Sequence, residues 1–387
     1  MPTAATVIFV CAGIFIAYVL FGYPILLSVW ARLSNRPIRK RFVPTPLSVI
    51  IPVRNGAPWI EAKIRSLLDS DYPADLLNVL VVSDGSTDGT NEVVEKYPDS
   101  RVRLLALTSG GKAVAVTRGL EEVATEIIVL TDVRQTFDRH ALRRLVACFA
   151  DPSVGVVTGE LIIREGANSE EYNTGLYWRY EKWIRRNLNR IDAMLGATGS
   201  IYAVRRDLAR PIPSDILLDD VYLPFKAAFR GSRIYLEEGA KAYDVPTSLQ
   251  TEFWRKLRTQ AGVYQILKHF PSLLWPGQRR FVHWTSHKLG RLLLPFAMLA
   301  AGVATFWLPG MWRPVFLAVQ ALFYGLALID FLIPEHSPLK RFSAVTRTFT
   351  TLVVAAFCAI AVIFFPATHL WKETRVSVAH PERLPQT

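Results

Sequence analysis

The chain has 387 residues, 51% of them hydrophobic and 20% charged, and its 45 Lys and Arg against 33 Asp and Glu give a formal net charge of +12. That apolar share is more than a soluble enzyme needs, and it gathers at the two ends of the sequence, which argues against a wholly soluble protein. Three cysteines with no CxxC or Cys/His spacing exclude a disulfide framework and a zinc site, so Cys11, Cys148 and Cys358 are expected to be buried thiols.

Thr6 to Trp30 is almost wholly apolar and uncharged, and about 25 such residues cross a bilayer with some tilt. No Lys or Arg precedes the run, whereas Arg32, Arg36, Arg39, Lys40 and Arg41 follow it. A cleaved signal peptide has the opposite order, so the expectation is an anchor with its N-terminus outside and residue 32 onward in the cytoplasm.

From Leu47 the pattern changes to short β-rich runs alternating with helical stretches. Leu47–Val53, Asn78–Ser83, Val102–Leu107, Glu126–Thr131 and Gly155–Ile163 read as strands, and Ala57–Ser70, Asp88–Lys96, Lys112–Ala124 and Asp138–Ala150 as the helices between them. Strands apolar on both faces and joined by helices predict an α/β domain with a largely parallel sheet. Ligands bind beyond the carboxyl ends of such strands, so the residues just after each run carry the interest.

The second strand is followed by Asp84-Gly85-Ser86-Thr87-Asp88-Gly89-Thr90. A carboxylate there can accept hydrogen bonds from a base or ribose while glycine lets the backbone approach; the same pattern also makes a plain Asx turn and helix cap. After the third strand, Gly110-Gly111-Lys112 offers backbone donors and a cation to phosphate, or is simply a loop opening a helix; it lacks the spacing of a Walker loop. After the fourth, Asp132-Val133-Arg134 places a carboxylate where a divalent ion could bridge a diphosphate, or where an acid merely makes a turn. Further on, Asp219-Asp220 precedes a helix; neighbours on a chain face apart, so at most one is expected to act in catalysis, and the pair also reads as a helix cap with a solvated acid.

Thr251–Lys288 mixes Trp254, Arg255, Lys256, Arg258, Lys268, Phe270, Trp275, Arg279, Arg280 and Trp284, as amphipathic helices at headgroup level do, although a solvated helix face packed on the domain reads alike. Three more apolar spans follow, Leu289–Leu308, Val315–Ile333 and Thr348–Phe365, with Arg291 and Asp330 close to helix ends. Much of the positive charge lies beside these segments, which favours membrane lipid over nucleic acid as its partner.

Taken in order, Val49-Ile50-Ile51-Pro52-Val53-Arg54-Asn55, the Asp84 segment, Gly110-Gly111-Lys112, Asp132-Val133-Arg134, Gly196-Ala197-Thr198-Gly199 and Asp219-Asp220 resemble the motif series of glycosyltransferase family 2, in particular its membrane-bound, polysaccharide-synthase-like members. The resemblance covers roughly Leu47 to Ile266 and implies a GT-A fold, a Rossmann-like mixed, largely parallel α/β sheet flanked by one N-terminal and about three C-terminal transmembrane helices. The organisation it implies is an N-terminal transmembrane helix over 1–33, a cytoplasmic GT-A domain over 34–250, interfacial helices over 251–288, three transmembrane helices over 289–366 and a tail over 367–387.

By the same resemblance Asp84 contacts the nucleotide base, with Pro52 and Asn55 shaping the pocket and Lys112 near the donor phosphates. Asp132 is similar to the first acid of the family's metal-binding DxD motif, so Mg2+ or Mn2+ is expected. Asp220 resembles the acid that deprotonates the acceptor hydroxyl, with Asp219, Gly196, Thr198, Gly199 and Arg258 on the acceptor side. Two positions depart from the pattern. Arg134 replaces the second acid of DxD, and its guanidinium either pairs with the diphosphate or points away. In the QxxRW element of processive synthases, Arg255 stands at the Gln, Arg258 matches the Arg and Thr259 replaces the Trp that stacks on the acceptor sugar.

The function implied is an inverting hexosyltransferase at the cytoplasmic face of the plasma membrane, moving a sugar from a nucleotide-sugar donor, UDP by resemblance, to a growing glycan. Single-sugar transfer to a lipid acceptor is the alternative within the enzymes. Outside them stand a non-catalytic nucleotide-binding membrane partner and a transporter subunit; the scarcity of ionisable groups near mid-membrane argues against the last.

Overall fold

The computed structural model describes residues 3–163, 169–244, 249–334 and 337–365, and of these the backbone alone within 169–177 and 249–252. The tail expected over 367–387, with Lys372, Arg375 and Arg383, lies outside the described residues. Two compact units form: one draws on Asn35–Arg164 and Leu188–Val245, the other on Met1–Ser34, Glu165–Asn187 and Pro246–Arg375.

The first unit is built on an eight-stranded sheet of order β3-β2-β1-β4-β7-β6-β8-β5. Its strands are β1 (Leu47–Val53), β2 (Leu77–Asp84), β3 (Val102–Leu107), β4 (Ile127–Leu130), β5 (Thr136–Phe137), β6 (Val154–Ile163), β7 (Tyr202–Arg205) and β8 (Arg233–Asp244). The half β3-β2-β1-β4 is parallel, with Leu47 opposite both Leu77 and Ile127. β7 runs antiparallel to β4 and β6, β8 is parallel to β6, and β5 is antiparallel to β8. The sheet is therefore mixed. Its antiparallel strands carry no apolar run: β5 has 2 residues and β7 has 4, while β8 alternates half-buried and buried positions.

Every residue of β1 is buried, as a central strand covered on both faces requires. Val49, Ile51 and Val53 join Ile60, Ile64 and Leu67 of the helix Ala57–Leu68 in one core. The alternate residue Ile50 faces the other way and meets the helix Lys112–Glu122 at Gly119. These two layers aim the carboxyl ends of β1, β2 and β4 toward one edge of the sheet.

Among the described residues the second unit contains four helices long and apolar enough to cross a membrane: Ala4–Leu33, Phe281–Thr305, Trp312–Leu332 and Pro338–Ile363. The second begins at Phe281 rather than Leu289, through a π-helical stretch at Trp284–Leu289. Its polar residues hide that extension in the sequence because partners satisfy them. Tyr18 hydroxyl lies 2.7 Å from Ser286 and Tyr23 hydroxyl 3.2 Å from His283 Nδ1, while Glu181 accepts from Arg291. Arg291 thus sits inside a helix, not near its end. Of the thiols, Cys148 is buried, whereas Cys11 and Cys358 are exposed on apolar helices; an apolar run destined for lipid does not bury its side chains in protein.

A Cβ on Gly119 would lie 2.7 Å from Ile50 Cγ2 and 3.1 Å from Val82 Cγ2. Gly119→Ala is expected to destabilise the protein by about 1–3 kcal/mol through overpacking, read as a lowered thermal midpoint of the detergent-solubilised chain. An unchanged midpoint would mean the helix shifts away without strain.

Candidate active site

The loops after β1 and β2 are tied together. Asn55, at φ +54°, accepts through Oδ1 from the Thr87 amide at 2.9 Å, and its own amide donates to Ser86 Oγ at 3.1 Å. The amides of Gly56 and Ala57 donate to Thr90 Oγ1 (2.9 Å) and Asp88 Oδ2 (3.0 Å). Pro52 is buried opposite Val82, so Asn55 projects from a rigid strand end.

Asp84 is 4% exposed and closes β2. Its carboxylate accepts from the Gly110 amide at 2.6 Å and from the Gly111 amide at 3.1 and 2.9 Å. Gly85, at φ +66°, lets the two loops meet, since a Cβ there would lie 2.9 Å from Ser109 N. Asp84 thus organises the Gly110-Gly111 turn that delivers Lys112 as the first residue of its helix.

Lys112 Nζ lies 2.8 Å from Asp132 Oδ1 and 3.1 Å from Asp219 Oδ1. Burial alone would depress its ammonium, but Asp132, Asp219 and Asp220 outweigh that and push it above the ordinary lysine value. Asp219 and Asp220 open the helix Asp219–Ala228. Asp220 Oδ2 accepts from the Gly199 amide at 3.0 Å. Burial first, then Asp219, pushes the Asp220 carboxyl up to about 6, with Lys112 and the Gly199 amide pulling it back. A Cβ on Gly199 would lie 3.3 Å from Asp220 Oδ2 and 3.6 Å from Asp132 Oδ2, so this glycine keeps open the space between the two acids. Gly196, at φ +130°, sets the same loop against the helix, and the Thr198 amide is anchored on Thr158 Oγ1 at 2.9 Å.

Arg134 donates to Asp244 Oδ2 at 2.5 Å, and Gln135 Nε2 to the same oxygen at 2.8 Å. One arm of the guanidinium is therefore held by protein, while its buried Nε has no hydrogen-bond partner among the described residues. Arg258 lies on the helix Leu249–His269, which belongs to the other unit. Thr259 donates to the Arg255 carbonyl at 2.8 Å, inside its own helix.

Three further residues belong to the site without any motif. Lys63 is 0% exposed and donates to Thr131 Oγ1 at 2.7 Å and to the Gln135 carbonyl at 2.6 Å, at either end of the Asp132 loop. Burial pushes its ammonium well down, against the pull of Asp132. Its signal was in plain view, a lysine between Ile60, Ile64 and Leu67 on the apolar face of a helix. Tyr202 is fully buried, its hydroxyl has no hydrogen-bond partner among the described residues, and burial followed by Asp219, Asp220 and Asp132 pushes that hydroxyl well up. Asp244 ends β8, a strand without a continuous apolar run.

Among the described residues no group of three or more His, Cys, Asp and Glu side chains could hold a metal by itself. The cluster is nonetheless acid-rich, three carboxylates about one ammonium, and after burial it is Asp219 that pushes the Asp220 carboxyl up. A divalent cation fits that charge deficit at Asp132 when a ligand brings further oxygens.

Residues 48–212 match the family model described as Glycosyl transferase family 2. The chain is 31% identical over 137 residues to the beta-monoglucosyldiacylglycerol synthase of Synechocystis sp., covering 34% of this chain and 28% of that protein. It is 31% identical over 211 residues to the poly(ribitol-phosphate) beta-N-acetylglucosaminyltransferase TarS of Staphylococcus aureus, covering 53% and 36%. The chain thus spans about a third of the length of these two relatives. An N-acetylglucosaminyltransferase of Rhizobium meliloti is 27% identical over 257 residues, or 60% of this chain and 58% of that one. In fold, the chain superimposes on a mannosyltransferase from Pyrobaculum calidifontis, solved with GDP-Man and Mn2+, at a TM-score of 0.69 and 23% identity, covering 92% of this chain and 99% of the other. The fold is of the GT-A type.

Because Asp84 holds the amides of Gly110 and Gly111, Asp84→Ala is expected to raise their hydrogen-exchange rates by about tenfold or more, with protection in β1 unchanged. Unaltered exchange at both glycines would show that the turn does not depend on this carboxylate.

Proposed function

The chain carries a glycosyltransferase family 2 domain, and from that premise we propose that it transfers a sugar from a nucleotide-sugar donor, with UDP-sugars first among the candidates, to a glycan acceptor at the cytoplasmic face of the plasma membrane, with inversion. The observation that carries the reading is the cluster of Lys112, Asp132, Asp219 and Asp220 at the carboxyl edge of the parallel strands. The site residues take these roles. Pro52, Asn55 and Asp84 frame the nucleoside, and the Gly110-Gly111 turn with Lys112 faces the diphosphate. Asp220 acts as general base, and Asp219 with the Gly196–Gly199 loop borders the acceptor.

The step is a single displacement. The acceptor O–H gives its proton to Asp220 as its oxygen bonds to the anomeric carbon, and the bond from that carbon to the diphosphate breaks with its electron pair leaving on the nucleoside diphosphate. Lys112 is placed to offset that departing charge. Asp132 would hold Mg2+ or Mn2+, which supplies Lewis-acid neutralisation of the diphosphate when bound. Arg134 keeps Asp244 as its partner and lends a screened cation at the rim. The four apolar helices anchor the chain, and Arg32 to Arg41 favour a cytoplasmic catalytic domain. Arg258 is assigned to the acceptor side. A second reading, single-sugar transfer to a membrane lipid, is favoured by Thr259, whose hydroxyl is turned onto its own helix and offers no ring to a polymer.

Membranes incubated with UDP-glucose, UDP-N-acetylglucosamine and GDP-mannose, followed by mass analysis of the product, test this reading. Nucleoside diphosphate released together with a glycosylated product is expected. Nucleotide binding with no release would leave a non-catalytic nucleotide-binding partner protein instead.

Asp220→Asn is expected to lower turnover by roughly 10²–10⁴-fold with nucleotide binding retained; undiminished turnover overturns the base assignment. Only the carboxylate form of Asp220 accepts a proton, so kcat/KM rises with pH through about 6 and falls below it. Lys112 holds that value down, so Lys112→Met moves the acid limb upward. Excess EDTA is expected to abolish transfer and Mn2+ to restore it; activity unchanged in EDTA would leave neutralisation to Lys112 and Arg134.

A further inference from the structure

Lys63 reaches both halves of the site through a short relay. Its ammonium donates to Thr131 Oγ1 at 2.7 Å, and Thr131 Oγ1 donates in turn to the Ser200 carbonyl at 2.6 Å. Thr131 precedes Asp132, and Ser200 follows Gly199, whose amide grips Asp220. A second Lys63 N–H donates to the Gln135 carbonyl at 2.6 Å, and the Phe137 ring lies 3.9 Å from Nζ. Gln135 then reaches Asp244 Oδ2 at 2.8 Å. The loop 131–135 is thus clamped at both ends by one buried ammonium, and only one of those ends continues to the Asp220 loop.

The packing of the helix Ala57–Leu68 does not ask for a lysine here. Its neighbours Ile60, Ile64 and Leu67 are apolar and fully buried, and a Met would fill similar volume without desolvating a charge. A buried ammonium is retained where its hydrogen bonds do something apolar contact cannot, which is to fix backbone oxygens and a hydroxyl in direction as well as distance.

We propose that Lys63 is a positioning residue for transfer, which through Thr131 and Ser200 sets the spacing between the donor-side acid Asp132 and the base Asp220, and through Gln135 holds the shape of the Asp132 loop. This rests on the roles assigned to those two acids above. The relay has two arms, and they separate by mutation. Lys63→Met cuts both arms. Thr131→Val removes only the hydroxyl bridge to Ser200 and leaves the Gln135 arm in place.

The test uses the full-length protein in detergent, with Kd for UDP–Mn2+ and GDP–Mn2+ measured by calorimetry and release of nucleoside diphosphate from UDP-glucose, UDP-N-acetylglucosamine and GDP-mannose measured in parallel. Lys63→Met is expected to weaken nucleotide binding by about tenfold and lower kcat by a further tenfold or more, for the loss of the two buried hydrogen bonds to Thr131 and Gln135. Thr131→Val is expected to keep Kd within about threefold and still lose roughly tenfold in kcat. The double variant should lose little more kcat than Lys63→Met alone, since both act along one relay. Wild-type Kd and kcat in Lys63→Met, or losses that only track a lowered thermal midpoint, overturn the proposal and leave Lys63 a packing residue. Failure of the wild-type protein to bind either nucleotide, or to release nucleoside diphosphate from any of the three sugars, overturns it as well, because the transfer reading on which it rests then fails too.

Discussion

Everything at the carboxyl edge of the sheet turns on one ammonium shared between two carboxylates. Lys112 stands 2.8 Å from Asp132 and 3.1 Å from Asp219, and Asp220 adds a third negative charge beside them. Three acids around one ammonium do not cancel, and burial first, then the neighbouring Asp219, pushes the Asp220 carboxyl up to about 6. Room for further positive charge follows from the same imbalance, and the raised Asp220 carboxyl shares in it. Removing Lys112 would alter both together, which is why its position at the first turn of a helix, behind two glycines, is so tightly specified.

That position is secured by backbone chemistry and not by a large core. Asp84 spends its carboxylate on the amides of Gly110 and Gly111, while the Asn55 side-chain amide oxygen and the Asp88 carboxylate accept from the chain across the β1–β2 gap. Each strand end is thereby fixed to the next, so the loops act as an extension of the sheet. A polar side chain used this way does two things. It satisfies backbone donors that would otherwise be orphaned, and it leaves the residues just beyond it with little freedom. The resemblance implies that Asp84 touches the base; the structure adds that it already shapes the phosphate-side turn.

How far this was legible depends on what kind of signal each part leaves. β1 begins and ends where its apolar run does, at Leu47–Val53, because a parallel strand buried between helices must be continuously apolar; β3 keeps the expected bounds Val102–Leu107 although it is an edge strand with Arg103 and Ala106 exposed. β5, β7 and β8 leave no such run, so the strands of the mixed half that carry Tyr202 and Asp244 were silent, while β6 was legible as Gly155–Ile163. Asp84, Lys112, Asp132, Asp219 and Asp220 were legible because they stand at element ends in a fixed order, and four of them are brought within one cluster. Lys63 was missed for the opposite reason. It lies in mid-helix at a core position, where the sequence shows only a lysine that breaks an apolar stripe, and its partners are a hydroxyl and a carbonyl more than sixty residues away.

The same lesson applies to the apolar helices, where scarcity of charge was the argument against a transport path. Arg291 lies well inside its helix and is matched by Glu181, and Asp330, fully buried, gathers Lys340 at 3.3 Å, Ser343 at 2.7 Å and Arg347 at 3.1 Å. These charges do exist in the helical unit, so their number alone decides nothing. Their pairing does. An ionisable group on a path must exchange partners as cargo passes, whereas Asp330 has its oxygens committed to three side chains from the following helix, and breaking such a buried set costs several kcal/mol. Groups bonded in that way hold helices in register. The helical unit is therefore read as a rigid anchor, and the chemistry stays with the acids around Lys112.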